Sequence, residues 1–132
     1  MNSSFESELS ERIDSIEEAY EFMLAYAAQG REGDDQVLEI GQFLQNLYNA
    51  LEALADVAAK DFSGDTDRDI RGRTFLKVLA EDSSKAQAAI GMAVAQSRIS
   101  SQLIDNLNGS IHLRALLTDL FLLDEVVKSS QS

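Results

Sequence analysis

Apolar side chains recur at alternating steps of three and four residues along most of this chain, and no proline interrupts them. Steps of three and four return a side chain to the same face of an α-helix, whereas a β-strand changes face at every residue. A chain without proline also lacks the residue that most strongly breaks a helix. Together, the spacing and the absence of proline predict an all-α fold.

Glycine and short polar clusters divide the chain into helical lengths at residues 30–35, 61–67 and 108–110. A further polar cluster at residues 81–84 resembles a helix start, although the apolar register continues across it. We therefore predict one domain over residues 1–132, an antiparallel bundle of four to five helices. The predicted helices cover about residues 5–29, 35–60, 67–82, 84–107 and 110–128. A single long helix over residues 67–107 is the alternative for the third region.

The composition bounds the class of protein. Hydrophobic residues make up 45% of the chain, enough to fill one core. No cysteine is present, which excludes disulfides, thiolate catalysis and cysteine-ligated metals. The first residues have neither the positive charge nor the apolar run of a secretory signal, and the longest apolar run, residues 120–123, is too short to span a bilayer. We expect a soluble, cytoplasmic protein.

The net charge of −12 is concentrated in the first half of the chain. Residues 1–61 carry 14 acidic and three basic side chains, whereas residues 62–132 carry nine acidic and eight basic ones. An acidic surface repels phosphate backbones and anionic lipid headgroups. Nucleic acid and membranes are therefore disfavoured as partners.

Metal and haem sites have little support in the sequence. His112 is the only histidine, so the two Glu-x-x-His motifs of a di-iron bundle are not available. An up-down bundle would bring Met23 and His112 to the same end, and such a pair can ligate haem. Met23 is, however, already explained as a core residue, and His112 as an exposed residue near a helix start. We predict no cofactor.

The aspartates of residues 61–69 suggest a calcium loop at first sight. An EF-hand loop beginning at Asp65 requires glycine at its sixth position and glutamate at its twelfth, and this chain has Ile70 and Leu76 there. The cluster is better explained as a solvated turn followed by an acidic helix start.

No motif pairs a nucleophile with a base, and no glycine-rich phosphate loop occurs. Carboxylates are plentiful, but nothing in the sequence selects a catalytic pair of them. We therefore do not predict an enzyme, and an enzyme with a carboxylate-based site stays the second alternative.

Positive charge is concentrated in one place, at Arg68, Arg71, Arg73 and Lys77. These side chains suit an anion or an acidic partner. They also suit ion pairs with the acidic first half of the same chain, and we favour that structural interpretation.

The last predicted helix carries more apolar side chains than one face can hold. A helix that is apolar on nearly all sides is either central in its own domain or covered by another chain. We predict a non-catalytic interaction or assembly module that forms a homodimer or binds another protein, with a ligand- or cofactor-binding bundle as the first alternative. The predicted interface residues are Leu113, Phe121, Leu122 and Val126.

Because Met23 and His112 are both explained without a ligand, we expect neither haem nor a divalent metal to bind tightly. Titration with haem, followed by absorbance, and elemental analysis of the purified protein test this expectation. A stoichiometric haem spectrum that is lost in His112→Ala or Met23→Ala would contradict it.

Overall fold

The computed structural model describes residues 3–29 and 34–131, with the side chains of residues 8–28 and 39–129. Its helices are α1 (Ser3–Gln29), α2 (Asp34–Leu51), α3 (Leu54–Ala58), a 3₁₀ helix (Ala59–Phe62), α4 (Asp67–Val94), α5 (Ser101–Asn108) and α6 (Ile111–Gln131). No strand occurs within these ranges, so the predicted all-α class is confirmed. The described part contains six α-helices, which corrects the predicted four to five.

The long helices pack as an antiparallel series. Arg12, near the start of α1, donates to the carbonyl oxygens of Ala50 and Glu52 at the end of α2. Gln87 of α4 donates to the carbonyl of Tyr48 on α2 at 3.0 Å. α4 then packs against α6, while α1 packs against both α2 and α5. α4 is thus the main neighbour of α6, and Asp124 of α6 also lies near Glu17 of α1.

The apolar stripes predicted from the three-four spacing form the core. Their members lie on all the long helices and are almost fully buried: Leu9, Ile13, Ile16, Met23, Ile40, Leu44, Leu47, Leu79, Ile90, Leu116 and Leu120. Among the helices described, none has the combination of length and apolarity that crossing a membrane requires.

The predicted helix over residues 35–60 is interrupted after Leu51. Ala53 has a φ of 56°, in the left-handed region that a residue with a Cβ rarely adopts. The guanidinium of Arg12 satisfies carbonyl groups that the end of α2 leaves without helical partners. The turn at Ala53 lets Leu54 and Phe62, on the two short helices that follow, face the core. A tertiary contact therefore ends this helix where the apolar register alone does not.

The predicted break at residues 82–84 does not occur, because α4 runs without interruption from Asp67 to Val94. The polar residues of that cluster are accommodated by packing: Ser83 is buried, and Asp82 faces α6. The chain instead leaves the helix at residues 95–100, where the Tyr26 hydroxyl donates to the carbonyl of Ile99 at 2.7 Å. The Ser100 hydroxyl then caps α5 by accepting from the Leu103 amide at 3.0 Å. The predicted helix over residues 84–107 is therefore divided between α4 and α5.

The start of α4 is fixed by a tightly packed joint with the 3₁₀ helix. Phe62 is 2% exposed, and its ring lies directly against Gly72 on the first turns of α4. A Cβ at Gly72 would lie 2.2 Å from a ring carbon of Phe62. Only glycine allows this approach, so the position of α4 depends on the missing side chain.

Gly72→Ala is expected to lower the free energy of unfolding by about 1–3 kcal/mol, because overpacking forces Phe62 or α4 to move. Urea denaturation followed by circular dichroism measures the change. Gly41→Ala on α2 is the matched control, since its Cβ would meet only Ile99 Cδ1 at 3.9 Å. That substitution is expected to stabilise the protein by about 0.5–1 kcal/mol, because alanine has the higher helix propensity. Equal effects of the two substitutions would contradict this account of the joint.

Candidate functional site

The seam between α4 and α6 brings together an apolar groove, two arginines and a pair of carboxyl groups. The two helices run antiparallel, because Asp82 faces Asp119 while Phe75, nearer the start of α4, lines the same groove as Leu122 and Val126. On each helix the side chains that border the seam follow the four-three-four spacing of one helical face. They are Arg71, Phe75, Val78 and Asp82 on α4, and Ala115, Asp119, Leu122 and Val126 on α6.

An open groove of about 360 Å³ lies along this seam. Its lining is apolar except for two guanidinium groups, and it consists of Phe62, Arg68, Arg71, Gly72, Phe75, Leu122, Leu123 and Val126. Leu123 is buried and belongs to the core, whereas Leu122 and Val126 are open to solvent. The groove is therefore an apolar trough with positive charge towards the start of α4.

The structure places three of the four predicted interface residues on the exposed side of α6. Phe121 is 57% exposed, Leu122 is 55% exposed and Val126 is 43% exposed. Leu113 is different, because it is 1% exposed and packs in the core. It cannot contribute to an interface of the folded protein, and we leave it out of the site.

The four predicted basic residues separate into different roles. Arg68 donates to the Asp61 carbonyl at 3.0 Å, and its guanidinium lies 4.6 Å from the centre of the Phe62 ring. Arg73 donates to the carbonyl oxygens of Phe62 and Gly64. These contacts stabilise the joint between the 3₁₀ helix and α4. The cluster is thus used partly for structure, through backbone carbonyl groups and through Asp69 and Asp67, which pair with Arg68 and Arg71 and lie on α4 itself and not in the acidic first half of the chain.

Arg71 is the member of the cluster that is most available to a partner. It pairs with Asp67, one turn away on α4, at 2.9 Å, and its side chain is 80% exposed. An exposed pair at this spacing contributes only about 0.3–0.5 kcal/mol, so little holds the guanidinium in place. Lys77 is also exposed, but it does not line the groove.

Thr66 and Asp69 form a capping box at the start of α4. The Thr66 hydroxyl accepts from the Asp69 amide at 3.1 Å, and Asp69 accepts from the Thr66 amide at 3.3 Å. The hydrogen bond from the Thr66 hydroxyl is the main reason why the pKa of Asp69 is lowered. Within the described residues, no group of three or more histidines or acidic residues is placed to hold a metal ion. The interpretation as an acidic helix start is confirmed.

The two residues considered as a haem pair lie in different environments. Met23 is fully buried, and its carbonyl accepts from the Asn108 side chain at 3.2 Å. His112 is exposed at the start of α6, where its amide donates to the Ser110 hydroxyl at 3.2 Å. Their surroundings match the core and helix-end roles that the sequence gives them.

The sequence did not select the carboxyl pair formed by Asp82 and Asp119. Asp119 is 7% exposed, and its buried Oδ2 accepts no hydrogen bond. Burial, and then the hydrogen bond and the negative charge of Asp82, raise the pKa of Asp119 to about 7. Two carboxyls at such a contact can share one proton, which makes a hydrogen bond across the seam. The sequence does contain a signal for this pair, because Asp82 and Asp119 each lie in a stripe of residues with four-three-four spacing. That signal can be used only when α4 and α6 are known to be antiparallel neighbours.

Comparison with known proteins finds no matching family model, no matching curated protein and no matching solved structure.

Asp119→Asn is expected to stabilise the protein at pH 8 by about 1–3 kcal/mol and to change its stability less at pH 5. The pKa of Asp119 in the folded protein lies above its ordinary value of 3.8, so its contribution to stability is present at low pH and is lost as the pH rises through about 7. Urea denaturation from pH 5 to 8 measures this change. Burial and the nearby Asp124 raise the pKa of Glu17 as well, so a smaller pH dependence is expected to persist in the variant.

Asp105→Asn, an exposed change on α5, is the matched control and is expected to leave the pH profile of stability as it is in the wild type. Identical pH profiles for wild type and Asp119→Asn would contradict the shared proton.

Proposed function

We propose that this protein is a non-catalytic interaction module, and that its α4–α6 face binds a second copy of the chain. The observation that carries the proposal is that two exposed apolar residues of α6, Leu122 and Val126, line an apolar groove together with Phe62 and Phe75. Phe121, the third exposed apolar residue of this helix, does not line the groove. Scattered exposed apolar residues are ordinary, whereas a contiguous group beside a groove is typical of a binding surface.

The energy available from this surface supports a dimer. Each large apolar side chain that becomes fully buried contributes roughly 1.5–3 kcal/mol. In a symmetric dimer every such contact occurs twice, so Leu122 and Val126 of each copy give four groups that pass from about half exposed to buried. Part of this gain is offset by the lost rotational and translational freedom of the two copies, which is estimated at about 4–15 kcal/mol. Because these side chains are already about half buried in the monomer, the gain only about matches this cost, and the dimer is expected to be no tighter than micromolar.

Charge supports a protein partner rather than a nucleic acid or a membrane. The chain carries a net charge of −12, and this long-range field repels phosphate-rich surfaces. The basic groups of the groove, Arg68 and Arg71, present a local exception that suits carboxylates of a partner protein. A cytoplasmic location is part of the proposal.

A ligand-binding bundle is the second candidate, and the groove itself favours it. Its volume of about 360 Å³ falls within the range of small-molecule sites. A ligand with an apolar body and a carboxylate would match the trough and the two arginines. Such a ligand would occupy the surface that the dimer uses, so a ligand and a second copy would compete. The effect of a fatty acid on the measured dimer affinity therefore separates the two candidates.

The carboxyl pair does not lead us to propose an enzyme. A general acid must reach the substrate atom that it protonates. Asp119 is nearly buried, and the part of it that reaches the surface lies in a shallow depression with Arg114 and Thr118. Asp82 does not line that depression, so the two carboxyls do not share a cleft that a substrate could enter.

The wild-type protein is expected to dimerise at micromolar concentration, and Leu122→Glu is expected to be monomeric, because it places a charge at the centre of the apolar surface. Sedimentation equilibrium measures the association, and circular dichroism verifies that the variant is folded. Leu24→Glu is the matched control. Leu24 is also an exposed leucine, 45% exposed, but it lies on α1 outside the groove, so this variant is expected to remain dimeric.

A wild type that stays monomeric at high micromolar concentration would refute self-association. Loss of the dimer in Leu24→Glu as well as in Leu122→Glu would show that the α4–α6 face is not its specific site.

A further inference from the structure

We propose that the two copies are related by a two-fold axis that runs parallel to the α4–α6 seam, so that Arg71 of each copy pairs with Glu125 of the other. The inference rests on the proposed self-association and goes beyond it, since it assigns the relative orientation of the copies and a contact that selects it. It follows from the signs of the charged residues and from their positions along the helix axes, which we call their heights.

Three contacts fix which residues of α4 and α6 lie at the same height. Asp82 faces Asp119 at one end. Phe75 and Arg71 share the groove with Leu122 and Val126 in the middle. At the other end, Arg68 borders a second surface depression of about 360 Å³ together with Glu125, Val126 and Ser129. Counted from Asp82 and Asp119 at 1.5 Å per residue, Arg71 and Glu125 lie within about 8 Å of each other in height, at the same end of the seam, and their long side chains can span that difference.

Two copies that meet face to face can be related by a two-fold axis that is either parallel or perpendicular to the helices. The parallel axis keeps every height and exchanges the helices, so α6 of one copy lies over α4 of the other. The perpendicular axis reverses the heights and places α4 over α4 and α6 over α6. The two arrangements bury the same face and differ in which charges meet.

The parallel axis brings opposite charges together. It places Glu125, which is exposed on α6, over the exposed guanidinium of Arg71 on the other copy. The contact occurs twice, once on each side of the axis. Arg71 has donors to spare for this contact, because it uses only its Nε for Asp67 in the cap region of α4.

The perpendicular axis brings like charges together when it passes near the middle of the groove. Arg71 then meets Arg71 of the other copy, and Glu125 meets Glu125. Juxtaposed like charges at a protein interface are strongly unfavourable. In a chain whose net charge of −12 already opposes association, the arrangement that pairs Arg71 with Glu125 is the favoured one.

The apolar residues fit the same arrangement. With heights preserved, Leu122 of one copy lies over Phe75 of the other, and Phe121 approaches the level of Val78. Val78 is 46% exposed and lies one turn beyond Phe75 on the face of α4 that borders the seam. The exposed ridge of α6 thus meets the apolar side of α4 and fills the trough of the other copy.

Charge reversal tests the pairing directly. Arg71→Glu and Glu125→Arg are each expected to weaken dimerisation on the order of tenfold, because each places like charges at both contacts. The double variant carrying both changes is expected to return to within about threefold of the wild type, because opposite charges meet again. Sedimentation equilibrium at low salt measures the dissociation constants. Arg98→Glu, an exposed change in the connection between α4 and α5, is the matched control and is expected to leave the constant unchanged.

Mixing the two single variants shows whether the contact joins different copies. A heterodimer of Arg71→Glu with Glu125→Arg has opposite charges at both contacts, so the mixture is expected to associate on the order of tenfold more tightly than either variant alone. A contact within one copy would give no recovery on mixing. Such a result would overturn the proposal.

The remaining outcomes separate this inference from the proposed function. If the wild type dimerises and Leu122→Glu abolishes the dimer, but neither charge reversal weakens it, the parallel axis is wrong and the interaction surface is right. Single reversals without effect are what the perpendicular axis predicts, since like charges would meet before and after each change. A monomeric wild type would overturn both proposals.

Discussion

The contact between the Phe62 ring and Gly72 sets the position of α4 against the 3₁₀ helix, and the groove depends on it. With no side chain at Gly72, the ring fits against the first turns of α4, and the guanidinium of Arg68 lies over the ring, 4.6 Å from its centre. Arg73 adds hydrogen bonds to the carbonyl groups of Phe62 and Gly64, which the end of the short 3₁₀ helix would otherwise leave to water. The same contacts place Phe62 and Arg68 in the wall of the groove. The same joint thus positions α4 and contributes one apolar and one basic residue to the lining of the groove.

The other end of the seam is held in an opposite way, by a carboxyl pair that stabilises only when it keeps a proton. Asp119 is nearly buried, and burial with Asp82 beside it raises its pKa to about 7. Replacing such a buried polar pair by apolar residues is often neutral or stabilising. The pair nevertheless restricts how α4 and α6 can slide past one another, because a shift of one turn would leave a buried carboxyl facing apolar side chains. Its contribution is to the register of the seam, and the register sets the heights on which the orientation of a dimer depends.

The sequence predicted the class of fold and most core residues, because the three-four spacing is a local signal of α-helix. It failed where a tertiary contact decides the outcome. The end of α2 depends on Arg12, 38 residues before the carbonyl of Ala50 that it reaches, and the left-handed turn falls on Ala53, where no glycine announces it. The polar cluster at residues 82–84 looked like a helix start because the sequence does not show that Asp82 has a neighbour on α6. For the site, the excess of apolar side chains on the last helix correctly predicted that Phe121, Leu122 and Val126 are exposed. The same excess does not show which face of the helix is covered, so the prediction wrongly included Leu113, which is buried.

Two electrostatic effects of different range act on any pairing of these chains. The net charge of −12 repels a second copy at long range, but dissolved ions screen this repulsion beyond about 8 Å at physiological ionic strength. The proposed pairing of Arg71 with Glu125 would act at contact distance, where burial of the surrounding apolar surface excludes water and weakens the screening. In the proposed dimer, the repulsion limits how often two copies meet, whereas the local pair selects the orientation in which they stay together. An apolar face without a basic group would accept a second copy in many orientations. On an acidic chain, one well-placed arginine instead favours the orientation that brings a carboxylate to it, and this preference gives the contact its specificity.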